Sequence, residues 1–257
     1  IALVNKIIQQ RAASEKSSTP IGFMTFEVEH RCKDGKLIWG EVLSKPDRDA
    51  QGAIVGYHGI TREITRRKLL EEQVNQLAFY DPLTQLSNRR LLTDRLSLAF
   101  SSSKRSHCYN ALMFLDLDHF KSLNDAHGHG AGDLLLTEAA NRLKACVRKV
   151  DTLARFGGDE FVVLLNDLST DREEAIAQTA SIAEKIRINL SVPYFLNVTP
   201  ALQTSHHIEY HCSVSIGVVI FDGCETNQDD VIEWADSAMY QAKADGRNLI
   251  RFHGIQP

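Results

Sequence analysis

The sequence predicts an α+β fold, a central sheet containing antiparallel strands with helices packed against it. Three observations carry this. Helical and strand-like patterns alternate after residue 81. Gly157-Gly158 separates two short β-prone runs, 152–156 and 161–165, which reads as a hairpin. Ile208, Tyr210, Cys212, Val214, Ile216, Val218 and Ile220 alternate strictly, which predicts one long strand with one buried face. The hairpin and the long antiparallel-type strand interrupt a βαβ rhythm and disfavour a doubly wound parallel sheet.

In chain order, residues 1–20 open with a short apolar helix candidate (Leu3, Val4, Ile7, Ile8) and pass into a polar stretch. Three strand-like runs follow, 24–33, 36–44 and 53–61. The Asp34-Gly35 pair joins the first two as a tight turn, and a turn at 47–52 joins the others, giving an antiparallel meander. Residues 62–80 lack Gly and Pro and space Leu70, Val74 and Leu77 by four and three, an a/d seam of about two heptads. Such a helix can pack on its own domain or pair in a parallel coiled coil. Its place between two domains points to the coiled coil.

Asp81-Pro82 starts a second region, with Asp81 as N-cap and Pro82 as the first residue of a helix running to about 101. A buried strand at 109–117 ends in Asp116-Leu117-Asp118, and period two puts both acids on one face. Asp118 can cap the next helix, 119–125. Asp116 is costly to bury unless paired or holding a metal. Gly128, Gly130 and Gly132 lead into a helix at 133–149. That glycine run is no Walker loop, because no Gly-Lys-Ser/Thr follows. It is no dinucleotide fingerprint either, because no strand immediately precedes it.

Beyond the hairpin, Ala175, Thr179, Ile182, Ile186 and Leu190 mark a buried helix face. Residues 192–207, with Pro193 and Pro200, read as a looser insertion. A last helix at 229–245 buries Val231, Trp234, Ala238 and Met239 and stops at Gly246, and 249–252 closes the sheet.

The chemistry is expected at the hairpin tip, where Asp159 and Glu160 stand together. Neighbouring carboxylates can hold a divalent cation, and one can act as a base. The plain alternative is a solvated turn. Composition narrows the rest. The 257 residues suit one or two domains, and 43% hydrophobic with 24% charged residues fits a soluble protein with a core. A net charge of -4 argues against a broad nucleic-acid surface. Cys32, Cys108, Cys146, Cys212 and Cys224 form no C-x-x-C pair, so they read as reduced thiols in a cytoplasmic compartment. No apolar run nears the ~18 residues that span a bilayer, so no membrane contact is expected here. The start at Ile1 suggests a fragment, with membrane tethers or further domains elsewhere.

Two resemblances follow. Glu29-His30-Arg31-Cys32-Lys33-Asp34-Gly35, Trp39, the run from Gly52 to Gly59, and Thr61-Arg62-Glu63-Ile64-Thr65 resemble the C-terminal half of a PAS sensor domain. No PAS cofactor is identifiable: there is no flavin-attachment cysteine motif, and His30 and His58 read as structural or exposed strand histidines. Four separated motifs resemble the GGDEF family of diguanylate cyclases. They are Asp81 to Arg90, Phe114 to Asp133, Arg155 to Phe161, and Ala235-Asp236 with Met239-Tyr240, Lys243 and Gly246-Arg247-Asn248. This divides the chain into a partial PAS domain (1–61), a helical linker (62–80) and a GGDEF domain (81–257).

The GGDEF resemblance implies a fold like nucleotidyl cyclases and polymerase palms, which is ferredoxin-like. It implies condensation of two GTP into cyclic di-GMP with loss of pyrophosphate, in a homodimer that uses Mg²⁺ or Mn²⁺. It makes Asp116, Asp159 and the Leu117 carbonyl the metal ligands and Glu160 the group that activates the ribose hydroxyl. Lys121, Lys243 and Arg247 would hold phosphates, although Lys243 and Arg247 also suit plain helix-end cations. Asn124 and Asp133 would select guanine and ribose, with Phe120, Gly157 and Gly158 also against the nucleotide. Arg148 and Asp151 would form an inhibitory product site, aided by Lys185 of a neighbouring domain. A simple surface ion pair is the plain reading there. A non-catalytic domain that binds GTP or cyclic di-GMP and controls an attached module, such as a phosphodiesterase, is the alternative function.

Overall fold

The computed structural model describes residues 23–198, 206–222 and 227–254. The helix candidate carrying Leu3 and Ile7, residues 199–205 of the insertion, and Cys224 lie outside them. The chain divides into two compact units, Ile1–Asn75 and Gln76–Pro257.

In the first unit β1 (Met24–Arg31), β2 (Leu37–Arg48) and β3 (Ile54–Glu63) form an antiparallel meander in that order. The Asp34-Gly35 turn closes with the Cys32 N–H on the Lys36 carbonyl at 2.7 Å. Helix α1 (Thr65–Phe79) starts where the Trp39 N–H donates to Thr65 Oγ1 at 3.0 Å. Arg67 pairs with Glu27 at 2.7 Å and Glu41 at 3.3 Å, exposed pairs that water screens and that add little stability. The helix buries none of its residues: Leu70, Val74 and Leu77 are 52%, 63% and 74% exposed. The predicted seam is an apolar stripe without cover among the described residues.

The second unit is built on a five-stranded sheet in the order β10-β9-β4-β6-β5. Its strands are β4 (Asn110–Leu117), β5 (Thr152–Gly157), β6 (Glu160–Leu165), β9 (Val214–Phe221) and β10 (Ile250–Phe252). All pairings are antiparallel except β10 with β9. Every residue of β4 is buried. Its odd-numbered side chains, with Phe161, Val163 and Ile216, face α4 (His129–Cys146) and α5 (Arg172–Ser191). Leu112 and Phe114, with Val162 and Val219, face α2 (Arg89–Ser106) and α6 (Gln228–Ala244). The α+β expectation holds, with a helical layer on each face.

Several boundaries differ from expectation. Asp81 does not cap a helix; its Oδ1 accepts from the Thr84 N–H (2.8 Å) and Oγ1 (2.7 Å), closing a local turn. The chain then adds Ser87 beside Ala154 of β5, and Asn88 caps α2 by accepting from the Leu91 N–H. Short α3 (Phe120–His127) has no side-chain cap, so Asp118 is free for another task. Helix α4 begins at His129 and contains Gly130 and Gly132, because Gly128 already makes the break. Thr179 and Ile186 are buried on α5 as expected, with Ala183 in place of the partly buried Ile182.

The long alternating strand is two. β8 (His206–Tyr210) pairs with β7 (Tyr194–Val198) in a hairpin within the presumed insertion, and β9 starts afresh at Val214. β9 is also buried on both faces, because α6 covers Ser215, Gly217 and Val219. A Cβ on Gly217 would lie 2.0 Å from the Ala235 carbonyl oxygen and 2.2 Å from the Met239 nitrogen. Only glycine lets α6 sit this close. On α6, Trp234 is only partly buried and stacks on His253 at 4.8 Å, while Ala235 and Ala242 take up the buried face.

We expect Gly217→Ala to destabilise the protein by about 1–3 kcal/mol, as overpacking does. Gly157→Ala, where a Cβ meets nothing within 4 Å, should stay within about 0.5 kcal/mol of the parent. Thermal unfolding of both variants checks this, and equal midpoints would contradict the packing argument.

Candidate active site

The even-numbered face of β4 points its last acid, Asp116, toward α6. Register then brings in the hairpin, because Asp116 stands opposite Glu160 of β6. The connecting turn is Gly158-Asp159, with Gly158 at φ +49°, a conformation a side chain resists. The Leu117 N–H donates to the Asp159 carbonyl at 3.3 Å and ties this turn to the end of β4. Asp159 therefore lies in the turn itself, and Glu160 is the first residue of β6 rather than part of the tip.

Asp116 is 8% exposed, and Lys243 Nζ from α6 reaches its Oδ2 at 2.6 Å. Burial, then the Asp159 charge, push the Asp116 carboxyl up, while Lys243 pulls it down. Burial also pushes up Glu160, followed by the charges of Asp116, Asp236 and Asp159. Asp236 is thus a fourth acid of the cluster that the sequence reading did not assign. It lies seven residues before Lys243, two turns earlier on the same helix face.

The other expected residues lie on α3, on α4 and just beyond α6. Phe120 packs on the core at the start of α3, and Lys121 beside it is exposed. Asn124, one turn on, has a buried Oδ1 with no hydrogen-bond partner among the described residues. Asp133 is exposed on α4, and Arg247 is exposed just beyond α6. Among the described residues no carboxylate pairs with Lys121 or Arg247.

A family profile described as "Diguanylate cyclase, GGDEF domain" matches residues 78–249. The chain belongs to the GGDEF family of diguanylate cyclases.

It is 46% identical over 173 residues to the bifunctional diguanylate cyclase/cyclic di-GMP phosphodiesterase MucR of Pseudomonas aeruginosa, and 34% identical over 195 residues to the diguanylate cyclase DgcM of Escherichia coli (strain K12). These matches take in 67% and 74% of this chain but 23% and 42% of those relatives, so the chain spans less than half of either. Among solved structures, the coiled coil and GGDEF domain of DgcB from Caulobacter crescentus, in complex with c-di-GMP, matches with TM-score 0.63 and 28% identity. That match covers 74% of this chain and 93% of that one. The isolated GGDEF domain of TpbB (YfiN) from Pseudomonas aeruginosa matches with TM-score 0.59 and 33% identity, covering 68% and 94%.

At the far end of β5 from the acids, a groove of about 600 Å³ is lined by Arg95, Lys144, Arg148 and Asp151 among others. The six residues of β5 put about 20 Å between the two places. Arg148 bonds both Asp151 oxygens, through Nη2 at 3.0 Å and Nε at 3.2 Å, and the Asn166 carbonyl at 2.9 Å. The Asp151 side chain is fully buried, while half of Arg148 faces solvent. This is more than a loose surface pair. Within this chain Lys185 Nζ caps the Ala145 and Cys146 carbonyls at the end of α4.

A second contact that the sequence did not point to secures the GGDEF turn. Arg155 Nη1 bonds both oxygens of Asp81 at 3.2 Å, and its Nη2 bonds the Gly158 carbonyl at 2.7 Å. Burial alone would raise the Asp81 carboxyl, but its Thr84 and Arg155 partners hold it below the usual range. A depressed carboxyl contributes stability above its unfolded pKa of about 4 and loses it as pH falls through the folded value. Asp81→Asn should therefore cost about 1–3 kcal/mol at pH 7. The gap to the parent should close below about pH 4. Unfolding midpoints across pH check this, and a gap that persists at low pH would assign the loss to another cause.

Proposed function

We propose that this chain condenses two GTP molecules into cyclic di-GMP, releasing two pyrophosphates. The observation that carries this is the convergence of Asp116, Asp159 and Glu160 at one end of the sheet, with Lys243 against them. The exposed cations Lys121 and Arg247 follow Asp116 and Lys243 by five and four residues in the chain. Glu160 takes the proton from the ribose 3′-hydroxyl of one GTP as that oxygen attacks the α-phosphate of the other and pyrophosphate leaves. Burial and the neighbouring acids raise its carboxyl above the usual carboxylate range, which makes it a stronger base than a free glutamate. Lys121, Lys243 and Arg247 hold the triphosphate, and Asn124 and Asp133 select guanine and ribose. The unpartnered Asn124 oxygen supports this, since guanine N1–H and N2–H₂ are donors that adenine does not offer in the same place.

The donor set fits a hard divalent cation, Mg²⁺ or Mn²⁺. Its side-chain ligands are carboxylates, hard oxygen donors, and burial first and then neighbouring acid charge hold the Asp116 and Glu160 carboxyls above the usual range. Among the described residues no three acidic, His or Cys side chains are close enough to ligate one ion. Asp116, Asp159 and the Leu117 carbonyl would hold it together with substrate oxygens and water. When bound, the ion supplies charge neutralisation on the triphosphate.

One such site holds one GTP, so two domains must face each other, and the product's two-fold symmetry implies a homodimer. The exposed Leu70, Val74 and Leu77 stripe supports pairing through α1 as a coiled coil. The meander β1–β3, by its resemblance, is the C-terminal half of a PAS sensor that regulates this pairing. The domain division at 61 and 80, and a cytoplasmic location, are part of the same reading. Arg148 and Asp151 form the inhibitory product site, in which the half-exposed guanidinium reads the guanine O6 and N7 edge.

Incubating the purified chain with GTP and Mg²⁺ should yield cyclic di-GMP, with turnover per chain rising with protein concentration. Glu160→Gln should bind GTP as before and turn over roughly 10²–10⁴ more slowly, the range for losing a general base. A chain that binds GTP and makes no product would be the non-catalytic regulator instead.

Arg148→Ala should relieve inhibition by added cyclic di-GMP and leave initial rates unchanged. An unaltered inhibition curve would place product control elsewhere.

A further inference from the structure

Three consecutive residues after α6 have positive φ: Gly246 at +123°, Arg247 at +63° and Asn248 at +50°. Arg247 and Asn248 pay a steric penalty there that glycine does not, so something outside the turn must hold it. Two contacts do so. The Asn248 N–H donates to Asp118 Oδ2 at 3.1 Å, and Arg187 Nη1 of α5 donates to Asn248 Oδ1 at 2.8 Å. Asp118 is 2% exposed and does not cap α3. It also accepts from Ser213 Oγ at 2.6 Å and Ser215 Oγ at 2.7 Å, and its own N–H donates to the Ser213 carbonyl at 2.9 Å. One buried carboxylate thus joins the end of β4, the start of β9 and the Arg247 turn, two residues from Asp116.

We propose that Asp118 is a positioning residue: it fixes the Gly246-Arg247-Asn248 turn in its left-handed form so that the exposed Arg247 guanidinium is presented to the triphosphate. The functional half rests on the proposed role of Arg247 as a phosphate ligand; the positioning half does not. The second acid of the Asp116-Leu117-Asp118 pair then serves substrate affinity without touching substrate. Arg187 acts on the same turn from the other helical layer.

The test uses 3′-deoxy-GTP, which lacks the attacking hydroxyl and so binds without turnover, and guanosine, which lacks phosphates. Asp118→Asn retains the volume but turns one acceptor into a donor. It should speed amide exchange at Asn248 and weaken 3′-deoxy-GTP binding about tenfold, the size of losing a hydrogen bond to a charged group. Guanosine affinity should not change. Arg187→Ala, which leaves the buried Asp118 site intact, should weaken 3′-deoxy-GTP in the same sense. Neither variant should weaken it further once Arg247 is alanine. Ser213→Ala, which removes a donor not on the turn, should leave 3′-deoxy-GTP binding in place. Unchanged exchange at Asn248 in Asp118→Asn would overturn the positioning role. So would an undiminished affinity loss in the Arg247→Ala background. If Arg247→Ala alone binds 3′-deoxy-GTP like the parent, the phosphate reading of Arg247 fails, and the exchange measurement still decides what Asp118 holds.

Discussion

The second unit depends on burying a strand that ends in a charge. β4 is covered on both faces along its whole length, so its backbone is fully committed to β6 and β9. Neither pairing can slip by one residue without turning the Leu112 and Phe114 face against the wrong helical layer. Asp116 is carried into place by that register, and so is Glu160 opposite it. A carboxylate 8% exposed would be intolerable in an apolar pocket. It persists because Lys243 is delivered by α6, and α6 is close enough because position 217 has no side chain.

The charge balance of the site follows from that arrangement. Asp116, Asp159, Glu160 and Asp236 share a region with one paired ammonium, and burial, with neighbouring negative charge adding to it, raises the Asp116 and Glu160 carboxyls. A site in this state has free energy to gain from a cation and from substrate that brings one. The same logic separates Asp118 from its neighbours. Satisfied by two hydroxyls and an amide, it has little to offer a metal and much to offer the geometry of the turn it holds.

Arg155 gives the Gly158-Asp159 turn a second anchorage. One guanidinium, 15% exposed, joins the Asp81 turn just after α1 to the Gly158 carbonyl of the hairpin. Ser87 bridging β5 adds backbone bonds to the same junction, with the Arg155 N–H on the Ser87 carbonyl at 2.9 Å. The Asp81 turn is therefore bonded to the arm that carries Asp159.

Much of this was legible in the residues. The Gly157-Gly158 hairpin, the apolar strand ending in Asp116, the Asp34-Gly35 turn and the exposed Leu70, Val74 and Leu77 stripe all follow from local chemistry, because turns and periodicity are set by neighbours in the chain. The sequence misled where distant groups decide. Strict alternation from Ile208 to Ile220 concealed a break at His211 to Ser213, where the chain bonds Asp118 instead of continuing the ladder. It also concealed the second buried face of β9, since Ser215 and Gly217 carry no apolar signal and are buried only because α6 lies on them. Asp81 and Asn88 are equally good cap residues by type. Which of them starts a helix was decided by Arg155, 74 residues away from Asp81 in the chain. Residue types and spacing determined which acids were available and which turn would present them. Only the tertiary structure decided that Asp116 meets Lys243 and that Asp118 holds Asn248, because those partners are joined by packing across the sheet and not by any periodicity along the chain.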